Sequence, residues 1–440
     1  MTPGFDDFLD QLRTQLTDAA AAETAAKAAR ERVQTAPQGA GAGRFWHWRP
    51  RMAFVAGVLV PAAVVLAVVT TSVLTADELH PSSTASRLAG GQSAGPTPAF
   101  VLPQTSAPAT PGALPDVRQF AYVPAAVAAD SAFDVWVVGA SVAVDGPDRP
   151  AHASSLVLHW DGATWRQTPS PDIGPLSAVS TAASGDAWAL SSVNNALLHW
   201  DGRQWSAATS GLPDGCVLTG LTAVAANDVW VVGSHLGEPL AMHWNGSSWQ
   251  TTDLPGSSGA GGTLTSIAAS SSADVWVVGT SSAGQRLAFR WDGAQWSAVQ
   301  SDEQSIPGGG NVVAVSPEDV WISSDVLLHW DGTGWSDVSN VLGAFTGSSA
   351  VVSSSDIWMC APARGGVVHW DGTSWRATSP AEMGVPAGDN AAIESVTAVS
   401  GNDVWAVGTI GHLGELTARP LIVHWNGSGW RVVVDAAQAN

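Results

Sequence analysis

One unit of about 45 residues is repeated seven times between residues 118 and 440. Its first half reads Asp-x-Trp, and its second half reads Trp-(Asp/Asn)-Gly-x-x-Trp. A short unit repeated in tandem buries its apolar face by stacking against its neighbours, so this repeat dictates the fold. The Asp-x-Trp copies begin at Asp134, Asp186, Asp228, Asp274, Asp319, Asp356 and Asp403, and the second motif begins at Trp160, Trp200, Trp244, Trp291, Trp330, Trp370 and Trp425.

Each unit predicts four β-strands. The first is a short run of small apolar residues, as at 221–225, and the second is the alternating, β-branched DVWVVG. The third ends at His-Trp, as at 156–160, and the fourth begins at the last Trp of the unit. The intervening Asp-Gly or Asn-Gly predicts a type I′ hairpin, whose two central residues both need positive φ. Four antiparallel strands per unit predict an all-β, seven-bladed β-propeller, and a closed ring needs no capping repeats.

The tryptophans follow the repeat. The chain has 23 Trp and a single Tyr, Tyr122. Three Trp in each of the seven units account for all but two of them, Trp46 and Trp48. Each buried Trp covers on the order of 200 Å². We therefore expect these side chains to form the core between blades rather than a sugar-binding surface.

Residues that recur in every unit are interpreted as scaffold, because a ring has one centre and not seven. The repeated Asp side chains are expected to accept hydrogen bonds from turn amides at the start of the second strand. The His side chains of one register lie on different blades and are too far apart to share a metal ion, so no metal and no cofactor is expected. That register holds His159, His199, His243, His329, His369 and His424, with Arg290 in the remaining unit.

Loop lengths separate the two faces of the disc. The connections between strands one and two, and between three and four, have the same length in every unit and share one face, the constant face. The other two connections vary and share the opposite, variable face, where repeat proteins commonly bind ligands. The longest insertions, 139–155, 377–394 and 408–420, fall in blades one, six and seven, which are neighbours in a ring. Neutral drift in loop length is the alternative to a binding site there. The candidate binding residues are Asp145, Asp148, Arg149, His152, Glu382, Asp389, Asn390, Glu394, His412, Glu415 and Arg419.

Residues 52–76 predict a transmembrane helix. The segment has 25 residues without a charge, enough to cross a bilayer core of about 30 Å. Arg44, Arg49 and Arg51 precede it and Asp77 and Glu78 follow it, which places the N-terminus in the cytoplasm and the C-terminus outside. A cleaved signal peptide is the alternative, but the 51-residue lead and the length of the apolar run argue against it.

Two further segments flank this span. In the cytoplasmic segment 1–51, Phe5, Phe8, Leu9, Leu12 and Leu16 recur at helical spacing and predict an amphipathic helix over about 5–33. This helix either docks a cytoplasmic protein partner, or is a marginal helix on the inner membrane face or a largely disordered tail. Residues 77–117, rich in Pro, Ser, Thr, Ala and Gly, predict a disordered stalk that lifts the propeller from the membrane.

Composition excludes several functions. A formal net charge of −20 argues against nucleic-acid binding. Two Cys without a C-x-x-C exclude a disulfide framework and a Cys zinc site. A sialidase or a copper oxidase of the galactose-oxidase type needs catalytic Tyr residues, and Tyr122 lies ahead of blade one. We therefore expect no enzyme, with a glycan-cleaving activity the least favoured reading.

The DVWVVG…HWDGxxW pattern resembles the membrane-anchored β-propellers of actinobacteria, loosely related to kelch and Asp-box repeats, over residues 118–440. The full Asp-box and the kelch double-Gly are both absent. The resemblance implies the propeller fold and says little about function. We expect a single-pass protein of the plasma membrane whose extracellular propeller binds a protein or glycan. The alternative is a transmembrane signalling protein with an anti-sigma-like layout, although residues 1–51 lack the His/Cys zinc motif common in that group.

Overall fold

The computed structural model describes residues 119–144, 152–183, 185–259, 261–299, 309–324, 326–338, 348–361, 366–386, 389–411 and 419–435. The predicted cytoplasmic helix, transmembrane helix and stalk lie outside these ranges and stay predictions. Within the ranges, no helix has the length and apolar character needed to span a bilayer.

The described chain forms seven four-stranded antiparallel sheets, each built from four consecutive strands. The predicted all-β, seven-bladed propeller is confirmed. Blades one to four contain β1 (Gln119–Ser131), β2 (Asp134–Val144), β3 (His152–Trp160), β4 (Trp165–Gln167), β5 (Ala178–Ala183), β6 (Asp186–Ser191), β7 (Ala196–Trp200), β8 (Trp205–Ala207), β9 (Cys216–Ala225), β10 (Asp228–His235), β11 (Glu238–Trp244), β12 (Trp249–Thr251), β13 (Thr263–Ser271), β14 (Asp274–Thr280), β15 (Arg286–Trp291) and β16 (Trp296–Ala298). Blades five to seven contain β17 (Asn311–Ser316), β18 (Asp319–Ser323), β19 (Leu327–Trp330), β20 (Trp335–Asp337), β21 (Ser349–Ser353), β22 (Asp356–Ala361), β23 (Gly366–Trp370), β24 (Trp375–Thr378), β25 (Ala391–Ser400), β26 (Asp403–Ile410), β27 (Arg419–Trp425) and β28 (Trp430–Asp435).

Strand boundaries coincide with the repeated residues. Every second strand begins at the Asp of Asp-x-Trp, every third strand ends at a Trp, and every fourth strand begins at one. The second strands, rich in Val, are buried on both faces. Such a strand reads as a continuous apolar run because each face packs against a neighbouring blade.

The core lies between blades, as the tryptophan spacing predicts. The second-strand Trp of each blade contacts the third- and fourth-strand Trp of the next blade, with ring centroids 5.0–6.3 Å apart. The fourth-strand ring meets its partner edge-on, a favoured aromatic geometry. Trp405 of blade seven meets Trp160 and Trp165 of blade one in this way, so the ring is closed.

First strands of neighbouring blades pack together at the centre of the ring. Hydroxyl groups join them: Thr219 Oγ1 donates to the carbonyl of Leu264 at 2.7 Å, and Thr265 Oγ1 donates to that of Gly310 at 3.1 Å. At the closing interface, the Val127 amide donates to Ser395 Oγ at 3.2 Å. These Ser and Thr side chains satisfy polar groups where seven backbones converge.

The two faces of the disc are as the loop lengths predict. The hairpin Gly162 lies against Phe133 of the turn between strands one and two, and Gly293 lies against Ala273 in the same way. Both constant connections of a blade therefore share one face. Since strands in a blade alternate in direction, β1 begins and β28 ends at the opposite, variable face.

Candidate functional site

The repeated Asp and His side chains meet inside each blade. In six blades the His of the third strand hydrogen-bonds through Nε2 to the Asp that begins the second strand, at 2.8–2.9 Å. A carboxylate oxygen can only accept, so the imidazole donates. The same imidazole stacks on the second-strand Trp, with ring centroids 3.8–4.3 Å apart. In blades two to six the Trp Nε1 also donates to the Asp.

Blade four carries Arg290 where the other blades carry His. Its Nε donates to Asp274 at 2.9 Å, and its guanidinium lies 5.4 Å from the centre of the Trp276 ring. Arg290 thus replaces both contacts of the histidine, with an ion pair to Asp274 and a cation–π contact with the Trp276 ring. Because one arrangement recurs in all seven blades, the interpretation of these residues as scaffold is supported by geometry.

The expectation that these Asp accept from turn amides is wrong. In blades one and four to seven an amide of that turn donates instead to a Ser that ends the first strand, as from Phe133 to Ser131 Oγ and from Glu318 to Ser316 Oγ, both at 3.3 Å. Serine hydroxyls cap such turns readily. The Asp carboxylates are left for the side chains of the second and third strands.

The Trp-Asp-Gly hairpins also differ from the predicted type I′ turn. Trp160 pairs directly with Trp165, so the loop between them has four residues rather than two. Gly162 has φ of 89°, whereas Asp161 is not among the residues of positive φ. Asp161 Oδ1 accepts from the amides of Ala163 and Thr164, at 3.0 and 2.8 Å. The same arrangement holds in the two Asn-Gly hairpins, as at Asn245. Trp160 and Trp165 lie on a common face as predicted, with their ring centroids 5.8 Å apart.

These hairpins make a pH-dependent contribution to stability that one substitution removes. Hydrogen bonds from the Thr333 hydroxyl, and from the Thr333 and Gly334 amides, lower the pKa of Asp331 to about 2. The pKa of an unfolded Asp is about 3.9, so this stabilisation is complete above about pH 4 and is lost as the pH falls towards about 2. Asp331→Asn keeps the amide contacts and does not titrate. We expect the urea midpoint of the variant to fall less than that of the wild type between about pH 4 and 2, with near-equal midpoints at pH 7. Identical pH profiles would contradict this assignment.

The variable face holds the predicted binding residues that the structure describes. Glu382, Asp389, Asn390, Glu394 and Arg419 lie on or beside the insertions of blades six and seven. Asp145, Asp148, Arg149, His412 and Glu415 lie outside the described residues. His152 begins β3, and its side chain is outside them as well.

An ion pair joins two of the insertions. Arg419 Nη2 donates to Asp389 Oδ2 at 2.8 Å, across 30 residues of sequence, with the two side chains 30% and 36% exposed. The segments 377–394 and 408–420 therefore meet, as predicted for loops of one sector. Both side chains of the pair are partly open to solvent.

Glu382 has a local structural role. Its Oε2 accepts from the amide and the hydroxyl of Ser379, each at 2.8 Å. These bonds hold the pKa of Glu382 below its usual range. They close a turn that buries Met383 and Val385 against blade seven. Glu382 thus shapes the loop.

Glu394 lies on β25, the first strand of blade seven, which packs against the first strands of the two neighbouring blades. It lies at a register shift of β25, between Ile393 and Ser395. Partial burial raises its pKa, and its charge adds to the burial that raises the pKa of Cys360. A half-buried carboxyl with a raised pKa is a common feature of binding sites, although structural networks produce it too.

Other candidate chemistries find no support in the described part of the chain. No three His, Cys, Asp or Glu side chains come together there to hold a metal ion. Cys216 and Cys360 are both free and buried, and they lie in different core clusters, Cys216 between blades two and three and Cys360 between blades six and seven. Cys360 packs in the core between blades six and seven, as a small apolar residue does.

A second group of exposed residues on the variable face was not predicted from the sequence. Leu236 is 84% exposed at the tip of the β10–β11 hairpin, with φ of 52°. Val217, at the start of β9, and Val193, in the loop before β7, are also exposed. The available signal was a Leu-Gly pair, 236–237, in a hairpin position that favours Asn-Gly.

Comparison with known proteins adds little beyond the fold. No protein-family model matches the chain, and no curated protein matches it. Among solved structures, the chain is similar to YCF48 bound to D1 peptide (16% identity, 71% of this chain and 93% of that chain covered, TM-score 0.46). It is also similar to virginiamycin B lyase from Staphylococcus aureus (10%, 64% and 91%, TM-score 0.47). A third is the fucose-specific lectin from Aleuria aurantia (16%, 72% and 97%, TM-score 0.40). Likenesses of this degree carry no argument about what the chain binds.

Proposed function

We propose that this chain is a membrane-anchored protein whose extracellular propeller binds a surface ligand or protein through its variable face. One observation carries the proposal. The repeated polar side chains are engaged with each other inside the blades, whereas the unrepeated Asp389 and Arg419 pair across two insertions at the solvent surface. Loops on a rigid scaffold are the usual place for binding residues.

The sequence supports the location of the propeller. An uncharged segment at 52–76, preceded by Arg and followed by Asp and Glu, favours a single span with the N-terminus in the cytoplasm. The segment 77–117 then separates the propeller from the membrane. In this orientation the apolar stripe of residues 5–33 faces a cytoplasmic partner or the inner membrane surface.

The distribution of reactive groups favours binding over catalysis. Each acid–imidazole pair is partly buried against a Trp ring on its own blade, and the pair recurs in six blades rather than forming one catalytic centre. The pair of Asp389 and Arg419 places one acidic and one basic side chain at the solvent surface, where two insertions meet.

Binding should depend on the paired insertions. We expect Asp389→Ala with Arg419→Ala, in the full-length protein in lipid nanodiscs, to weaken the ligand by about tenfold or more. An exposed ion pair contributes only about 0–1 kcal/mol to folding, so the variant should remain folded. A cell-wall glycan array and a peptide display library identify the ligand, and biolayer interferometry measures its affinity.

The matched control is Asp331→Asn with Asp371→Asn, which changes two carboxylates of the constant face. This variant should bind as the wild type does. Equal affinities for all three proteins would show that the ligand does not use the variable face of blades six and seven.

A further inference from the structure

The backbone at Leu236 is strained, and burial of the side chain does not offset the strain. A bulky residue with φ near +50° is disfavoured because its Cβ approaches the following carbonyl oxygen, and Gly or Asn avoids most of that cost. Leu236 and Gly237, with φ of 52° and 81°, form the two-residue loop between the paired His235 and Glu238. The Leu236 side chain is 84% exposed, so it gains no burial in return.

Asn195 shows the contrast. It is the other non-glycine residue of positive φ in the described chain, with φ of 51°. Asparagine tolerates this conformation, and its Oδ1 accepts from the Leu218 amide at 2.9 Å, which ties blade two to blade three. The positive φ of Asn195 therefore has a structural explanation. The fold itself does not explain why position 236 is Leu.

Two more exposed aliphatic side chains lie on the same part of the variable face. Val217 pairs with Ser234, two residues before Leu236. Val193 lies two residues before Asn195, whose side chain bonds to the amide next to Val217. We call these three residues, Val193, Val217 and Leu236, the Leu236 patch. Three of the five large exposed hydrophobic residues in the described chain belong to it.

The charge around the patch is negative. Asp214, exposed, accepts through its carbonyl from His235 beside the hairpin tip, and Glu238 is the hairpin residue that follows Gly237. The sequence has no Lys or Arg from residue 204 to residue 285, which covers blade three and its loops. Two acidic residues beside an apolar centre, on a blade without Lys or Arg, complement a basic partner and disfavour an anionic membrane surface.

The patch is aliphatic and not aromatic. Sugars are commonly held against aromatic rings, and the repeat Trp rings pack against one another between the blades. Branched aliphatic side chains suit an apolar side chain of a protein instead.

We propose that the Leu236 patch is a docking surface for a protein segment that carries an apolar side chain flanked by Lys or Arg. This rests on the proposed function, because it assigns a partner class to the variable face, and it places that partner on blades two and three. The cost of the Leu236 backbone is then recovered when the side chain is buried by the partner.

The test substitutes Leu236→Asn in the full-length protein in lipid nanodiscs. Because Asn is at ease in this turn, the variant should unfold at a higher temperature than the wild type while it loses the apolar anchor. The probe is a phage-displayed library of random twelve-residue peptides, whose leading sequences are synthesised for biolayer interferometry. We expect the selected peptides to pair an apolar residue with Lys or Arg, to bind less tightly as salt rises, and to bind the variant about tenfold or more weakly.

Phe133→Ser is the matched control, since Phe133 is 71% exposed on the constant face; its binding should equal that of the wild type. The proposal is overturned if Leu236→Asn lowers the unfolding temperature, if it binds the peptides as the wild type does, or if only glycans bind. Peptides that respond to Asp389→Ala with Arg419→Ala but not to Leu236→Asn would overturn this proposal and leave the proposed function standing. Peptides and glycans that respond to neither variant would overturn both.

Discussion

Trp230→Ala should lower the free energy of unfolding by about 3–5 kcal/mol, as large-to-small substitutions of buried aromatic residues do. Trp230 is 1% exposed, and its ring centroid lies 5.2 and 5.3 Å from those of Trp291 and Trp296 of the next blade. It also carries the stacked His243 ring and donates to Asp228. The substitution thus removes one side of an inter-blade contact and leaves two polar groups with fewer partners. Urea unfolding followed by Trp fluorescence measures the loss.

Trp230→Phe is the control for this experiment. It keeps an aromatic ring at the interface and loses the indole N–H, so its cost should be clearly smaller. Trp405→Ala extends the test to ring closure, because Trp405 contacts blade one. A cost similar to that of Trp230→Ala would fit a closed ring, and a negligible cost would contradict the closing contact.

Asp274→Ala should be the most damaging substitution among the repeated Asp, at about 3 kcal/mol or more. Asp274 is 1% exposed and accepts from the Arg290 Nε, the Trp276 Nε1 and the Ser270 hydroxyl. Removing the carboxylate leaves a guanidinium without its counter-ion beside the Trp ring. A group deprived of a charged partner costs more than one deprived of a neutral partner.

The comparison variants are Arg290→His and Asp228→Ala, both followed by urea unfolding. Arg290→His converts blade four to the pattern of the other six, so most of the stability should remain. Asp228→Ala removes the acceptor of an imidazole and should cost less than Asp274→Ala. Equal losses at the two Asp would show that the charge of Arg290 contributes nothing.

The period of the sequence predicted the blades and their core because one spacing governs both. A Trp that recurs at a fixed register can pack only against its counterpart in the next blade, so its burial follows from the repeat. The partners of the repeated Asp did not follow. Asp134 and His159 are 25 residues apart, and Asp319 and His329 are 10 apart. Strand pairing brings each pair together, whereas the sequence suggested only the nearby turn amides as donors.

The candidate site was predictable in its general position only. Loop length pointed to the meeting of Asp389 with Arg419, because insertions of neighbouring blades extend from one face. It could not distinguish Glu382, which closes its own turn, from residues that face solvent. Leu236 was missed because composition does not show which Leu is exposed, and exposure depends on the register of the hairpin that carries it.

Each blade is an uninterrupted stretch of chain, and the closing interface between blades seven and one uses the same Trp contacts as the others. No strand is borrowed from one end of the sequence to complete the blade at the other end. The ring therefore has no preferred first blade. A circular permutant that began between any two units would form the same set of contacts between blades. Both ends of the described chain lie on the variable face, so such a rearrangement would move the two chain ends around that face and leave the constant face unchanged. The position of the chain ends around the ring is therefore not dictated by the contacts between blades.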